Sequence, residues 1–218
     1  MTIFNSVFKS FYKWKPWANT LAYYTFNNTL NDSSWNNRNL TWTWSFVGGW
    51  PWKVYQVTSA YADDNVFNIN WTNPFTLNIW VKFTQFPSSN DVVMWMWKSD
   101  NVGYHDKEID IYSWWVVKAQ MWDWSEYSLT SNTNVSLDVW YNIVFVFTGS
   151  NRYLYINNNL VASGSWWSSR NLGENRLWFR KSWDWQFQIS NAILENIWWD
   201  TTAVSDYFNW TKAIYWIS

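Results

Sequence analysis

The chain has 218 residues, with 15 basic side chains, 16 acidic side chains and no cysteine. Without cysteine, a disulfide framework, a thiol nucleophile and a zinc–thiolate site are all excluded. The net charge of −1 excludes the broad basic surface that attracts nucleic acid. The sequence also contains no apolar run of about 18 residues, the length that a membrane-spanning helix needs.

The tryptophan content is anomalous, because the sequence has 25 Trp and only 6 Gly, whereas glycine is normally among the commonest residues. Many of these Trp stand among turn-forming residues, where a positive φ favours glycine. Examples are Trp35, Trp114, Trp115, Trp166 and Trp167. Our hypothesis is that most Trp are decoded from UGA codons that the source organism reads as glycine, as some bacterial lineages and their phages do. Trp80, Trp140 and Trp122 are then expected to be genuine. The alternative is a Trp-rich surface that stacks on sugar rings.

Residues 1–19 are predicted to be a leader or docking segment. Phe4, Val7, Phe8 and Phe11 follow the spacing of one helix face. The segment lacks a continuous apolar stretch and a small-residue cleavage site, so it does not have the pattern of a signal peptide. Either a partly ordered leader or a short helix that docks a partner or drives oligomerisation fits this pattern.

Residues 20–218 are predicted to form one domain of short strands between turns. Phe75–Phe83 alternates apolar and mixed positions, and Val139–Phe147 is almost continuously apolar, as expected of a strand buried on both faces. Arg152–Ser163 predicts a hairpin with an Asn-rich turn, and Thr201–Tyr215 predicts a C-terminal helix. The other predicted strands are Leu21–Phe26, Lys53–Thr58, Val66–Ile69, Val92–Met96, Glu108–Tyr112, Val116–Met121, Arg176–Arg180 and Gln186–Ile197. This arrangement predicts an all-β fold, an antiparallel β-sandwich of jelly-roll type.

A family resemblance rests on strand motifs in a fixed order. They are Leu21-Ala-Tyr-Tyr-Thr-Phe26, Phe75-Thr-Leu-Asn-Ile-Trp-Val-Lys82, Val139-Trp-Tyr-Asn-Ile-Val144, Arg152-Tyr-Leu-Tyr-Ile-Asn157 with Leu160-Val-Ala-Ser163, and Gln188–Asn196. Their order and spacing over roughly residues 20–208 resemble the laminin-G-like domains of the concanavalin A-like lectin/glucanase superfamily. The resemblance implies a concanavalin A-like jelly roll and, as function, non-catalytic binding of a glycan or a cell-surface partner.

Binding residues are expected on one sheet face or on the loops at one rim of such a sandwich. The candidates are Trp80, Trp122, Tyr127 and Asn142. Trp80 and Tyr127 would stack on sugar rings, and Asn142 would hydrogen-bond to hydroxyl groups. The alternative for Trp80 is packing between the layers of the fold.

A structural Ca²⁺ occurs in members of the family, although no cofactor is expected to be required here. Asp32, Asp63 and Asp64 could supply oxygen ligands. The last strand of the family usually carries an Asp after its first Ile, but here Ser190 follows Ile189. The alternative is that Asp32 caps its own turn and that the other two carboxylates are solvated.

The segment Glu108-Ile-Asp110-Ile-Tyr112 is the catalytic candidate. Residues two apart on a strand face the same side, and retaining glycoside hydrolysis needs two carboxyl groups close together. Family-16 glycoside hydrolases share the superfamily fold and carry Glu-x-Asp-x-Glu, but here Tyr112 replaces the last carboxylate. A triad built on His105 and Asp106 has no serine that the sequence places. We therefore expect no enzyme activity.

The leading functional prediction is a non-catalytic glycan- or surface-binding module, with a phage virion or a surface adhesin as its setting by analogy of architecture. One alternative is a glycoside hydrolase that uses Glu108 and Asp110. The other is a purely structural module that mediates assembly.

Overall fold

The computed structural model describes residues 18–40, 45–48, 53–57, 61–64, 73–97, 107–112, 114–122, 126–166, 176–180 and 186–215. These residues form fourteen β-strands, one α-helix and one 3₁₀ helix. The predicted docking helix in residues 1–17 and the predicted strand Val66–Ile69 lie outside the described residues. No helix within the described ranges is long and apolar enough to cross a bilayer.

The strands pair into two antiparallel sheets, as the sequence predicts. In chain order the strands are β1 (Thr20–Tyr24), β2 (Ser45–Gly48), β3 (Lys53–Val57), β4 (Tyr61–Asp64), β5 (Phe75–Gln85), β6 (Asp91–Trp97), β7 (Lys107–Ile111), β8 (Val116–Trp122), β9 (Glu126–Asn134), β10 (Trp140–Phe147), β11 (Asn151–Ile156), β12 (Asn159–Ser165), β13 (Arg176–Arg180) and β14 (Gln186–Glu195). In the described part of the chain, one sheet has eight strands in the order β12-β11-β10-β5-β14-β3-β2, with β1 also on β14. The other has six, in the order β4-β13-β6-β7-β8-β9.

The main core lies between the two sheets. Phe75, Leu77, Ile79 and Val81 of β5 alternate along the inner face, and all are fully buried. They face the inward side chains of the six-stranded sheet, such as Ile109 of β7. The alternation predicted for Phe75–Phe83 is therefore confirmed, because every second side chain points into one continuous core.

A helix covers the outer face of the eight-stranded sheet and creates a second apolar layer. Helix α1 (Thr201–Thr211) is followed by the 3₁₀ helix Lys212–Tyr215, which confirms the predicted C-terminal helix. The Asp200 carboxylate accepts a hydrogen bond from the Ala203 N–H at 2.8 Å and caps the helix start. Because α1 covers β10, Val144 is buried on the outer side of that strand, as predicted for a strand buried on both faces.

The predicted Asn-rich hairpin joins β11 to β12. Asn157 and Asn158 have φ values of 48° and 66°, and a two-residue type I′ turn needs positive φ at both central positions. Asparagine tolerates this conformation better than most residues, so the local sequence selects the turn and fixes the register of the two strands.

The tryptophans of the described residues range from exposed to fully buried. Trp35 and Trp114 are 78% and 76% exposed, and Trp115 is 50% exposed with a φ of 65°. In contrast, Trp199 is buried and so is Trp166, whose ring packs edge-on against Phe147 at 5.5 Å. Trp166 therefore packs against the core at the end of β12, whereas Trp115 occupies a backbone conformation that suits glycine.

Candidate binding site on the six-stranded sheet

Neighbouring strands β7 and β8 place polar side chains on the outer face of the six-stranded sheet. Glu108 pairs with Gln120, and Asp110 pairs with Lys118. The intervening Ile109 points into the core. Glu108 and Asp110 therefore share the outer face, as their spacing of two residues predicts.

These side chains form what we call the outer-face cluster. Its members are Glu108, Asp110, Tyr112, Lys118, Gln120 and Glu126. Glu108, Asp110 and Lys118 are buried, with exposures of 1%, 3% and 7%. Tyr112 and Gln120 are half-buried and Glu126 is exposed. The cluster thus has a buried charged floor and a side that borders solvent.

Lys118 is committed to two partners on this face. Its ammonium donates to the Tyr112 hydroxyl at 2.6 Å and to the Glu126 carboxylate. Burial lowers the pKa of Lys118, but the hydrogen bonds to Glu126 and Tyr112 outweigh it, so the pKa lies above its ordinary value. Lys118 is therefore a fixed positive charge at ordinary pH, and two of its three N–H donors are used by Tyr112 and Glu126.

Two acceptor atoms of the cluster have no donor. The Gln120 amide nitrogen donates to Glu108, but Gln120 Oε1 and Asp110 Oδ1 are buried and make no hydrogen bond. Buried polar atoms in native proteins are nearly always hydrogen-bonded, so such exceptions need a physical explanation. An incoming ligand that supplies donors is one explanation.

Burial raises the pKa of Asp110 well above its usual range. The neighbouring Glu108 adds to this increase, Lys118 opposes it, and Asp91 and Glu126 add smaller increases. The causes are loss of solvation and an excess of negative charge, both of which disfavour the ionised carboxyl. Asp110 therefore keeps its proton at a pH where an ordinary aspartate has lost it.

We expect Asp110→Asn to stabilise the protein at neutral pH by about 1 kcal/mol. The raised folded-state pKa means that the folded chain holds this proton more tightly, so this contribution is complete below the unfolded pKa of about 4. The stability that this proton contributes is lost as the pH rises through the pKa of Asp110 in the folded protein. The Asn variant has no such proton, so its stability does not depend on the pH in this way. Urea denaturation at several pH values checks this. The prediction is contradicted if the variant is no more stable than the parent at neutral pH, or if its gain in stability increases as the pH is lowered.

The structure corrects the binding roles expected of Trp80 and Asn142. Trp80 is fully buried beneath the C-terminal helices, with its ring stacked on Tyr215 at 3.9 Å and its indole N–H donating to the Thr211 hydroxyl at 3.1 Å. Asn142 is also fully buried, and its amide donates to Asn78 at 3.1 Å. A sugar has no access to either side chain, so the alternative of packing between layers describes Trp80.

Trp122 and Tyr127 lie on different faces of the β8–β9 pair. Trp122 is opposite Glu126, whereas Tyr127 is opposite Met121, which points into the core. Trp122 is half-buried beside the outer-face cluster. Tyr127 is 38% exposed and packs edge-on to Trp166 at 5.8 Å. The structure thus brings Trp122 to the cluster and separates Tyr127 from it.

Of the three residues proposed as Ca²⁺ ligands, Asp32 is the one whose side chain the structure describes. The Asp32 carboxylate accepts hydrogen bonds from the backbone N–H of Tyr23, Ser34 and Arg38 at 2.8–3.0 Å and from the Ser34 hydroxyl at 2.6 Å. Both of its oxygens therefore organise a turn, which agrees with the capping alternative. The backbone of Asp63 and Asp64 lies in β4, but their side chains are outside the described residues. No three acidic or histidine side chains in the described ranges are grouped to hold a metal.

Sequence reasoning missed Lys118, Gln120 and Glu126. The alternation of Lys118, Gln120 and Trp122 with apolar residues does carry a signal, because it marks one polar face of β8. Only the pairing with β7 shows that this face adjoins Glu108 and Asp110. His105 and Asp106 lie outside the described residues.

The fold agrees with a family match. A family model of laminin G type, described as the concanavalin A-like lectin/glucanases superfamily, matches residues 56–206, which is well over half of the chain. The chain belongs to this superfamily. No curated protein sequence matches it.

Several solved structures similar to this superfamily member are binding domains. The binding domain of Paraclostridial Mosquitocidal Protein 1 is 15% identical, with a TM-score of 0.74, and the match covers 88% of this chain and 52% of that one. The binding domain of botulinum neurotoxin serotype G is 14% identical, with a TM-score of 0.71 and coverages of 89% and 51%. The binding domain of botulinum neurotoxin DC in complex with SialylT is 14% identical, with a TM-score of 0.68 and coverages of 88% and 51%. The chain spans about half the length of these structures, and the likeness shows the shared fold.

Proposed function

We propose that this chain is a non-catalytic glycan-binding module and that the outer-face cluster is its binding site. The observation that carries the proposal is the pair of buried acceptors without donors, Asp110 Oδ1 and Gln120 Oε1. Sugar hydroxyl groups are donors that would satisfy them. The half-buried indole of Trp122 lies next to the cluster and offers an apolar face to a sugar ring.

The similar structures support a cell-surface ligand without identifying it. One is a botulinum neurotoxin binding domain in complex with SialylT, and another is in complex with rat synaptotagmin II. Those ligands belong to those proteins, which share 14% and 13% identity with this chain. A glycan or another cell-surface molecule is therefore the partner class that we propose here.

Hydrolysis is the second candidate, because Glu108 and Asp110 are two buried carboxyl groups on one face. A retaining mechanism needs a nucleophile and an acid/base held at a set separation across the scissile bond. The next outward position is Tyr112, whose hydroxyl is occupied by Lys118. This contact places a phenol and an ammonium where a third carboxylate would stand, which favours binding over turnover.

A glycan array combined with a reducing-sugar assay separates these functions. We expect binding without turnover, and we expect Glu108→Gln to weaken binding about tenfold by removing a charged acceptor. Asp138→Asn is the matched control, because Asp138 is an exposed turn residue away from the cluster. Turnover that disappears in Glu108→Gln would establish the hydrolase. No binding, together with oligomerisation driven by residues 1–19, would establish the assembly module.

We also propose that most of the tryptophans stand for glycine through UGA recoding, in a protein of a virion or a cell surface. The positive φ of Trp115 supports glycine at that position. UGG codons at positions 35, 114, 115, 166 and 167 would overturn the recoding.

A further inference from the structure

The outer-face cluster has an excess of negative charge. Asp110 interacts electrostatically with Glu108 on its own strand, with Lys118 on β8, with Asp91 on β6 and with Glu126 on β9. Four of these five groups are acidic, and the lysine is already hydrogen-bonded to Glu126. An anionic ligand would therefore meet like charges, and such contacts are unfavourable where solvent screening is weak.

The two buried acceptors without donors also favour a ligand that carries hydrogen-bond donors and a positive charge. Gln120 Oε1 accepts hydrogen bonds and cannot donate them, and the same holds for Asp110 Oδ1 once the carboxyl is ionised. Both atoms are buried without a donor. Asp110 and Gln120 lie on adjacent strands, diagonally across the same face, because Gln120 is opposite Glu108 and Lys118 is opposite Asp110. Side chains at diagonal positions are close enough to contact one ligand group together.

We infer that this site selects glycans by charge, binding amino sugars with a free ammonium group more tightly than neutral sugars, and neutral sugars more tightly than sialylated ones. The inference rests on the proposed glycan-binding function and names its ligand class. An ammonium carries three donors and no acceptor, which complements the two free acceptors and the negative field. A hard metal ion needs six or more oxygen ligands, and the described residues group no three metal-binding side chains.

Proton release provides a signature of this recognition. Asp110 holds its proton above the usual pH because of burial and the adjacent Glu108. A bound ammonium favours the ionised carboxyl, so binding of an amino sugar expels the proton from Asp110. The affinity then rises as the pH rises through the pKa of Asp110 and falls again where the ligand amine loses its own proton.

The test uses the full chain and three probes in a calorimeter. The first two are a glucosamine tetramer and its fully N-acetylated form, which differ only in the charged amine, and the third is sialyllactose. At about pH 6, below the ordinary pKa of an amine, we expect the free-amine tetramer to bind about tenfold tighter than the acetylated one. Titrations in two buffers with different ionisation enthalpies measure the protons released.

Asp110→Asn is expected to remove both the tenfold preference and the proton release, while Asp138→Asn keeps them. The first variant should fold, since it replaces a carboxyl that is largely protonated by a neutral amide of the same shape. Equal affinity for the two tetramers, unchanged proton release in Asp110→Asn, or tighter binding of sialyllactose overturns the charge selection and leaves glycan binding intact. If no probe binds and the glycan array is also negative, both the selection and the proposed function are wrong.

Discussion

Trp80→Ala is expected to lower the free energy of unfolding by about 3–5 kcal/mol, the usual cost of removing a large buried aromatic side chain. Trp80 is fully buried, with one ring neighbour in Tyr215 at 3.9 Å and another in Phe208 at 6.0 Å. Its indole N–H also donates to Thr211. These contacts join β5 to α1 and the 3₁₀ helix, so the truncation leaves a cavity under the helices and removes the hydrogen bond that the Thr211 hydroxyl accepts.

The measurement is the urea denaturation midpoint, followed by circular dichroism. Trp35→Ala is the matched control, because Trp35 is 78% exposed and surface substitutions usually change stability by less than about 0.5 kcal/mol. Glycan binding by Trp80→Ala under native conditions should equal that of the parent chain. A midpoint shift no larger than the control's, or a selective loss of glycan binding by the folded variant, would show that Trp80 is not a structural residue.

The strands with a clear apolar period could be predicted from the sequence. The inner face of β5 and the double burial of β10 follow from side-chain alternation and from a continuous apolar run. The β11–β12 hairpin follows from its Asn-rich turn. Strand β9 has no such signal, because most of its side chains are polar and exposed, and its pairing with β8 alone makes it a strand.

Only part of the candidate site could be predicted from the sequence. The spacing of Glu108 and Asp110 places both on one face, but their partners Lys118 and Gln120 depend on the β7–β8 register, which the turn between them sets. The burial of Trp80 could not be predicted, for a related reason. A strand pattern shows that an outer face is apolar, but it does not show that a helix more than a hundred residues later will cover it.

Trp115→Gly and Trp114→Gly are expected to change stability in opposite directions, although the two residues are adjacent. Trp115 ends the three-residue loop between Tyr112 and Val116, whose backbones are hydrogen-bonded at 3.0 Å. The last residue of such a loop adopts a left-handed conformation that suits glycine, and Trp115 has a φ of 65°. Trp114 is not among the residues with a positive φ.

Glycine at position 115 relieves a backbone strain of about 1–3 kcal/mol and loses the ring stacking on Phe86, which contributes about 0.5–1.5 kcal/mol. Glycine also costs about 0.5–1 kcal/mol here through the greater freedom of the unfolded chain, so the net expectation is a small gain of about 0.3 kcal/mol. Glycine at position 114 relieves no strain and costs about 0.5–1 kcal/mol through the greater freedom of the unfolded chain. Urea midpoints of the two variants therefore lie on opposite sides of the parent. If both variants are destabilised equally, the backbone of Trp115 is not strained. Its positive φ then no longer supports glycine at this position. If they separate as expected, the chain folds better with glycine where its sequence reads tryptophan, as UGA recoding requires at this position.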